Sequence, residues 1–304
     1  MPQKVILDVD TGGDDAVAIL LAGHHPATEL AAITVTHGNA PLSVTLSNTL
    51  KCVEHGNLAR MPVYSGAQRP FIAEPAPLDP VRNRALPLPT PTLAPQPGHA
   101  VDFLIYCYLG PSGPDTILVP PAPQTNIALA LLKEPRLAKR IPRIVTMAGA
   151  YLEGNVTPSA EFNVYADPEA ARIVFNSGIP ITMVGLEVTA QALVTLDDAA
   201  KLKALGTPQA KVAAEEIRHE VQWFVDNLDW SGGQIYDACA VAAVIEPGIL
   251  QTKPMHVDIE LRGELTRGRT VADITGYQKK TPNVDVGVGI DRERFMQILF
   301  EGMR

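Results

Sequence analysis

Short β-branched and aliphatic runs punctuate the chain at Val5 to Val9, Ala31 to Thr36, Pro62 to Ser65, Thr116 to Val119, Arg143 to Ala148, Ile181 to Val184 and Val284 to Ile290. Each has the length of a strand buried on both faces. Apolar residues recur at helical spacing between most of them, with one helix opening near Pro41 and another spanning Gln209 to Asn227. This alternation predicts an α/β fold, a doubly wound and mainly parallel central sheet flanked by helices. Ligands of such sheets gather outside the carboxyl ends of the strands, so the residues just after each run are where chemistry is expected.

One stretch departs from the pattern. Fifteen of the 27 prolines fall between Pro62 and Pro123, and residues 66–98 show no periodicity. A loop that long inside a compact domain is either a functional lid or a stiffened surface excursion. The strand and helix alternation resumes after it, so residues 1–304 are expected to form a single domain with 66–98 as a possible active-site lid.

Charge and cysteine usage narrow the class. The chain carries 25 basic and 33 acidic side chains, a net charge of −8, with no run of lysines or arginines that would track a phosphate backbone. Neither nucleic acid nor an anionic membrane is an expected partner. Cys52, Cys107 and Cys239 are odd in number and lack ligand spacing, which excludes a disulfide framework and a zinc site and suits a reducing cytoplasm. With a strand starting at residue 4 and no apolar run long enough to span a bilayer, a soluble, unprocessed cytoplasmic protein is expected.

The candidate chemistry lies in the first turn, DVDTGGDD, where Asp8, Asp10, Asp14 and Asp15 crowd between a strand and a helix. Gly12 and Gly13 let the backbone turn, and the helix N-terminus attracts carboxylates by about 0.3 to 1 kcal/mol. That is too little to hold several converging charges, whereas a hard divalent cation suffices. An EF-hand loop is excluded, because Gly12 and Ile19 stand where ligands belong. A haloacid-dehalogenase-like phosphatase fits Asp8-Val9-Asp10 but not Gly12, and stays as the alternative.

The spacing of Asp8, Asp10, Gly12, Asp14 and Asp15 resembles the opening motif of the nucleoside hydrolases, and four further blocks follow in that family's order. They are Thr36-His37-Gly38-Asn39, Gln124-Thr125-Asn126 at the start of a mid-chain helix, Gly154-Asn155 through Glu161-Phe162-Asn163 followed by Asp167-Pro168, and Tyr236-Asp237-Ala238-Cys239. The resemblance implies hydrolysis of the N-glycosidic bond of a ribonucleoside, a small-molecule substrate of purine or pyrimidine salvage, and a homodimer or homotetramer. It implies Ca²⁺ held by Asp10, Asp15, Asp237 and the Thr125 carbonyl, with Asp10 activating water. An oxocarbenium-like transition state needs such a water, a held sugar and help for the leaving base.

The resemblance places Asp14, Asn163 and Asp237 at the ribose O2′ and O3′, Asn155 and Glu161 at the 5′-hydroxyl, and Asn39 near the sugar. Two of these have plain structural alternatives: Asn155 as a turn residue, Asn39 as a cap of the helix at Pro41. Asp8 is left outside the metal shell, since side chains alternate along a strand.

The base side departs from the family. Tyr236 stands where many relatives carry histidine, so the obvious proton donor is absent; the phenol either donates a hydrogen bond or only packs. In place of a His-Gly motif the loop reads Asp79-Pro80-Val81-Arg82-Asn83, making Arg82 a candidate contact to the leaving group. Trp223 is either a stacking surface for a base or part of the core, and Gln222 is a possible base contact. A non-catalytic ribose- or calcium-binding protein is the remaining alternative, opposed by the retention of Asp10.

Overall fold

The computed structural model describes residues 1–72 and 84–304. Among these residues ten strands form, β1 (Gln3–Val9), β2 (Thr28–Val35), β3 (Val63–Ser65), β4 (Thr116–Val119), β5 (Ile144–Met147), β6 (Ile181–Val184), β7 (Leu250–Met255), β8 (Val257–Ile259), β9 (Thr270–Ala272) and β10 (Val284–Ile290). Eight of them make one sheet in the order β3-β2-β1-β4-β5-β6-β10-β7, parallel except for β7, which runs antiparallel to β10; β8 and β9 pair separately. The sheet is therefore the doubly wound kind expected, with its change of winding direction between β1 and β4.

Among the described residues eleven α-helices accompany it, α1 (Gly13–His24), α2 (Leu42–His55), α3 (Ala100–Leu109), α4 (Thr125–Lys133), α5 (Phe162–Ala166), α6 (Pro168–Phe175), α7 (Leu186–Thr189), α8 (Leu196–Lys203), α9 (Pro208–Leu228), α10 (Tyr236–Ile245) and α11 (Arg292–Met303). Strand alternation divides the core. Val5, Leu7 and Val9 of β1 pack with α1, α9, α10 and α11, whereas Ile6 packs on the other face with α3, α4 and α6. Helix α1 is apolar nearly all round, as a helix must be that is covered by α9, α10 and α11 on its outer side.

Three details hold the site end together. Helix α9 begins on a Thr207 cap with Pro208 in its first turn, a start that needs no donor from the proline. Just after the undescribed run, Arg84 is ion-paired at 2.6 Å with buried Glu216 of α9, and its carbonyl accepts from Asn48 of α2 at 2.9 Å. Phe71, just before that run, donates its N–H to Asp167 at 3.2 Å. The described residues on either side of that run are thus tied to α9, α2 and Asp167. The Arg82 candidate and the central part of the expected lid lie outside the described residues.

Candidate active site

The carboxyl ends of β1, β2, β4 and β5 and the first turn of α10 converge on one pocket. Asp14, Asn39, Asn155, Glu161, Asn163, Tyr236 and Asp237 all line it, with Phe162, Met147 and Pro121. The first seven are candidates from four separate sequence blocks, and the fold brings them to a single place.

At its floor, one carboxylate oxygen from each of Asp14, Asp15 and Asp237 lies within 4.8 Å of the others. Asp15 also holds the turn: its two oxygens accept the backbone N–H of Asp10 at 3.2 Å and of Gly12 at 2.8 Å. Asn39 does not cap α2, whose first turn follows Pro41 without a side-chain cap. Its backbone N–H donates to Asp10 Oδ2 at 2.6 Å and its amide donates to Asp15 at 3.2 Å, so it fixes the acids relative to one another. The other Asp10 oxygen, Oδ1, is buried with no hydrogen-bond partner among the described residues. A buried carboxylate oxygen left so costs free energy unless something else compensates it.

The electrostatics agree. Burial, reinforced by Asp14, pushes Asp15 up to about 8. Asp10 is raised well above the carboxylate range by burial and by Asp15, and Asp237 by burial and by Asp14, Asp15 and Asp10. Four acids that disfavour one another's charge, with only oxygen donors around them, fit a hard cation.

Thr125 opens α4, but its hydroxyl is committed elsewhere, donating to Asp167 at 2.7 Å and meeting His37 Nε2 at 3.1 Å. Asp8 points into the opposite layer, where Thr34 and Asn126 donate to it at 2.5 and 2.8 Å, and burial raises it to about 7. Its role there is to join β1, β2 and α4.

Glu161 caps α5: its oxygens accept the N–H groups of Gly149, Asn163 and Val164 at 2.8, 2.9 and 3.3 Å. Asn163 donates to the carbonyl of Met147 at the end of β5 (3.0 Å), and Asn155 Oδ1 accepts the N–H of Phe162 at 2.9 Å. These hydrogen bonds orient the polar wall of the pocket before anything binds.

Beside this pocket opens a second, larger cleft that shares Asn155, Phe162 and Tyr236 with it. Its wall is an aromatic series: Phe224 packs edge-on to Trp223 (centroids 5.2 Å), stacks on Trp230 (5.1 Å) and tilts against Tyr236 (6.4 Å). Trp223 therefore faces the cleft rather than the core alone, while Gln222 turns to Asp226 at 2.8 Å along the helix and does not line the cleft. Leu186, Glu187, Gln191 and Gln234 line it too. Nothing in their sequence spacing marks them, because α7 and the segment before α10 reach the cleft only through the fold.

The family model described as inosine-uridine preferring nucleoside hydrolase matches residues 5–297. The chain belongs to the nucleoside hydrolase family. A curated relative, the pyrimidine-specific ribonucleoside hydrolase RihB of Escherichia coli (strain SE11), is 36% identical over 99% of this chain and 97% of its own length. Among solved structures, the purine-preferring ribonucleoside hydrolase from Gardnerella vaginalis superposes with a TM-score of 0.91 at 32% identity, covering 99% of this chain and 98% of that one. A plant nucleoside hydrolase, PpNRh1, gives a TM-score of 0.89 at 29% identity over 100% and 99%. This nucleoside hydrolase is accordingly an N-glycosidase, and the phosphatase alternative falls away, as does the non-catalytic one.

Proposed function

We propose that the chain hydrolyses ribonucleosides to free base and ribose at a Ca²⁺ site made by Asp10, Asp15, Asp237 and the Thr125 carbonyl, with Asp10 as general base. The observation that carries the reading is the meeting of Asp14, Asp15 and Asp237 at the floor of a pocket walled by Asn39, Asn155, Glu161 and Asn163. Such a pocket suits a polyol over a cation. When bound, Ca²⁺ supplies a hard positive charge that offsets the carboxylates and makes a nearby water more acidic.

The chain's own groups do the rest. Asp10, held at Oδ2 by the Asn39 N–H, keeps Oδ1 to take a proton from water as it attacks C1′. Asp14, Asn163 and Asp237 bind the 2′- and 3′-hydroxyls, and Asn155 and Glu161 the 5′-hydroxyl. The leaving base lies at the near end of the aromatic cleft, between Tyr236 and Phe162. The relatives are named pyrimidine-specific in one case and purine-preferring in another, so base choice belongs to this wall rather than to the ribose pocket.

The test is chromatographic. Incubation with inosine, adenosine, uridine and cytidine in Ca²⁺ should release free base and ribose, and Asp10→Asn should lower kcat by about 10² to 10⁴, the usual contribution of a general base. Asp10→Asn that keeps wild-type kcat with metal bound refutes the assignment.

A further inference from the structure

The base-side role uses the near end of the aromatic cleft and leaves the far end without one. The far end, meaning the lining that the ribose pocket does not share, includes Leu152, Leu186, Ala190, Leu228 and Trp230, and the open cleft as a whole has a volume of about 800 Å³. That is the scale of pockets that hold drug-sized ligands. A bare nucleobase, one ring or two fused, fills only part of it.

Several polar groups of the lining are already committed, while Glu187 Oε2 is buried with no hydrogen-bond partner among the described residues. Glu187 Oε1 accepts the N–H groups of Tyr151 and Leu152 at 2.8 and 2.7 Å; Gln191 donates to the carbonyls of Glu187 and Val288 at 2.6 and 3.2 Å; Gln234 accepts from the Thr189 hydroxyl at 2.5 Å. The charged side chains on the lining, Glu153 and Glu187, are both acidic, and among the described residues no lysine or arginine joins them, which disfavours a phosphate. Apart from these two acids and the amides of Asn155, Gln191 and Gln234, what lines the cleft is mainly hydrocarbon and aromatic ring. At the rim Leu152, Leu228 and Trp230 stay 58%, 46% and 36% exposed, a concentration of large apolar side chains beside a binding site.

We infer that the far end is an extended leaving-group subsite, and that this enzyme favours ribonucleosides whose base carries a bulky apolar substituent. The inference rests on the nucleoside hydrolase reading above. With ribose held over the acids and the base beside Tyr236, the substituent lies against Trp223, Leu228 and Trp230. The gain comes from apolar area removed from water at the rim and scales with it.

Matched pairs test this: adenosine with N6-benzyladenosine, and cytidine with N4-benzylcytidine. The benzylated member of at least one pair should show a kcat/KM about tenfold above its parent, the gain expected when part of a benzyl group is buried. Leu152→Asp and Leu228→Asp, at exposed positions that accept a charge without unfolding, should return the ratio toward one. Trp223 and Trp230 are the chain's two tryptophans and both line the cleft, so intrinsic fluorescence reports its occupancy directly. The benzylated nucleoside should shift the emission at concentrations where the parent does not. A ratio at or below one in both pairs, or a ratio the two aspartate variants leave unchanged, overturns the subsite. Failure to cleave any parent nucleoside or p-nitrophenyl riboside in Ca²⁺ overturns the hydrolase reading instead. The fluorescence titration then decides the subsite alone: a shift with the benzylated ligand supports it, and no response overturns it, as when a segment of the chain or a second copy fills the cleft.

Discussion

A single methyl group added at Gly38 would meet the proposed general base. The added Cβ falls 2.0 Å from Asp10 Oδ2 and 2.9 Å from its Cβ, far inside contact distance, and the neighbouring Asn39 N–H fixes the same oxygen from the other side. Gly38→Ala should therefore displace Asp10, cutting kcat at least tenfold and lowering stability by about 1 to 3 kcal/mol, in the range of overpacked core substitutions. Steady-state kinetics and a urea melt check both; wild-type kcat in Gly38→Ala shows that the position of Asp10 does not matter. Tyr236 poses the opposite case, a residue with no clash but a doubtful chemistry. Its side chain is buried where the polar pocket meets the aromatic cleft. A phenol gives up a proton at neutral pH less readily than an imidazole. Tyr236→His should speed cleavage of purine nucleosides more than that of p-nitrophenyl riboside, whose leaving group needs no proton. Fast hydrolysis of all nucleosides by the wild type, unaltered in Tyr236→Phe, marks the phenol as packing. The residues proposed for the ribose are legible in the sequence because each sits in a compact block, after a strand in every case but Asp237, which opens α10 behind helix α9. Gln234 and Glu187 are not, because their neighbours in the chain say nothing about the cleft they reach.

At the scale of elements, strands inside the sheet announce themselves as β-branched runs and the β3 edge is legible too, whereas the β7 edge is not. Strand β7 reads Leu-Gln-Thr-Lys-Pro-Met, with an exposed middle and a proline, and pairs on one side only. Such a strand carries neither a continuous apolar run nor strict alternation, and proline is tolerated there because no second neighbour needs its N–H. The start of β2 lies outside its apolar run for a similar reason, since Thr28 and Glu29 precede that stretch. Helix α9 was legible nearly to its ends, and its C-terminus holds a correctable strain. Asp229 takes a left-handed conformation, φ 55° and ψ 36°, and its N–H bonds to Phe224. Glycine adopts that conformation without the Cβ penalty, so Asp229→Gly should stabilise the protein by up to about 1 kcal/mol. A higher midpoint in urea with an unchanged slope is the expected result; a lower one shows that the aspartate side chain contributes more than the strain costs.

The molecule as a whole places its least favourable charges where its elements converge. Helix α1 delivers Asp14 and Asp15, α10 delivers Asp237, and Asp10 directly follows β1, so the packing of α1 under α9 and α10 fixes the distances between acids that repel one another. Burial and mutual repulsion raise Asp10, Asp15 and Asp237 together, which means that the folded chain alone holds these groups ionised only at a cost. A cation that binds the folded state and not the unfolded one removes that cost and stabilises the fold by mass action, about 2.7 kcal/mol at a hundredfold excess over Kd. Exhaustive chelation should consequently lower Tm by several degrees and abolish turnover in the same samples. Adding back Ca²⁺ should restore both, and Mg²⁺ less well, because Mg²⁺ demands closer octahedral geometry and gives up its waters reluctantly. Elemental analysis that finds no metal in a fully active preparation, with Tm indifferent to chelator, would mean that the acids are reconciled by protons rather than by a cation.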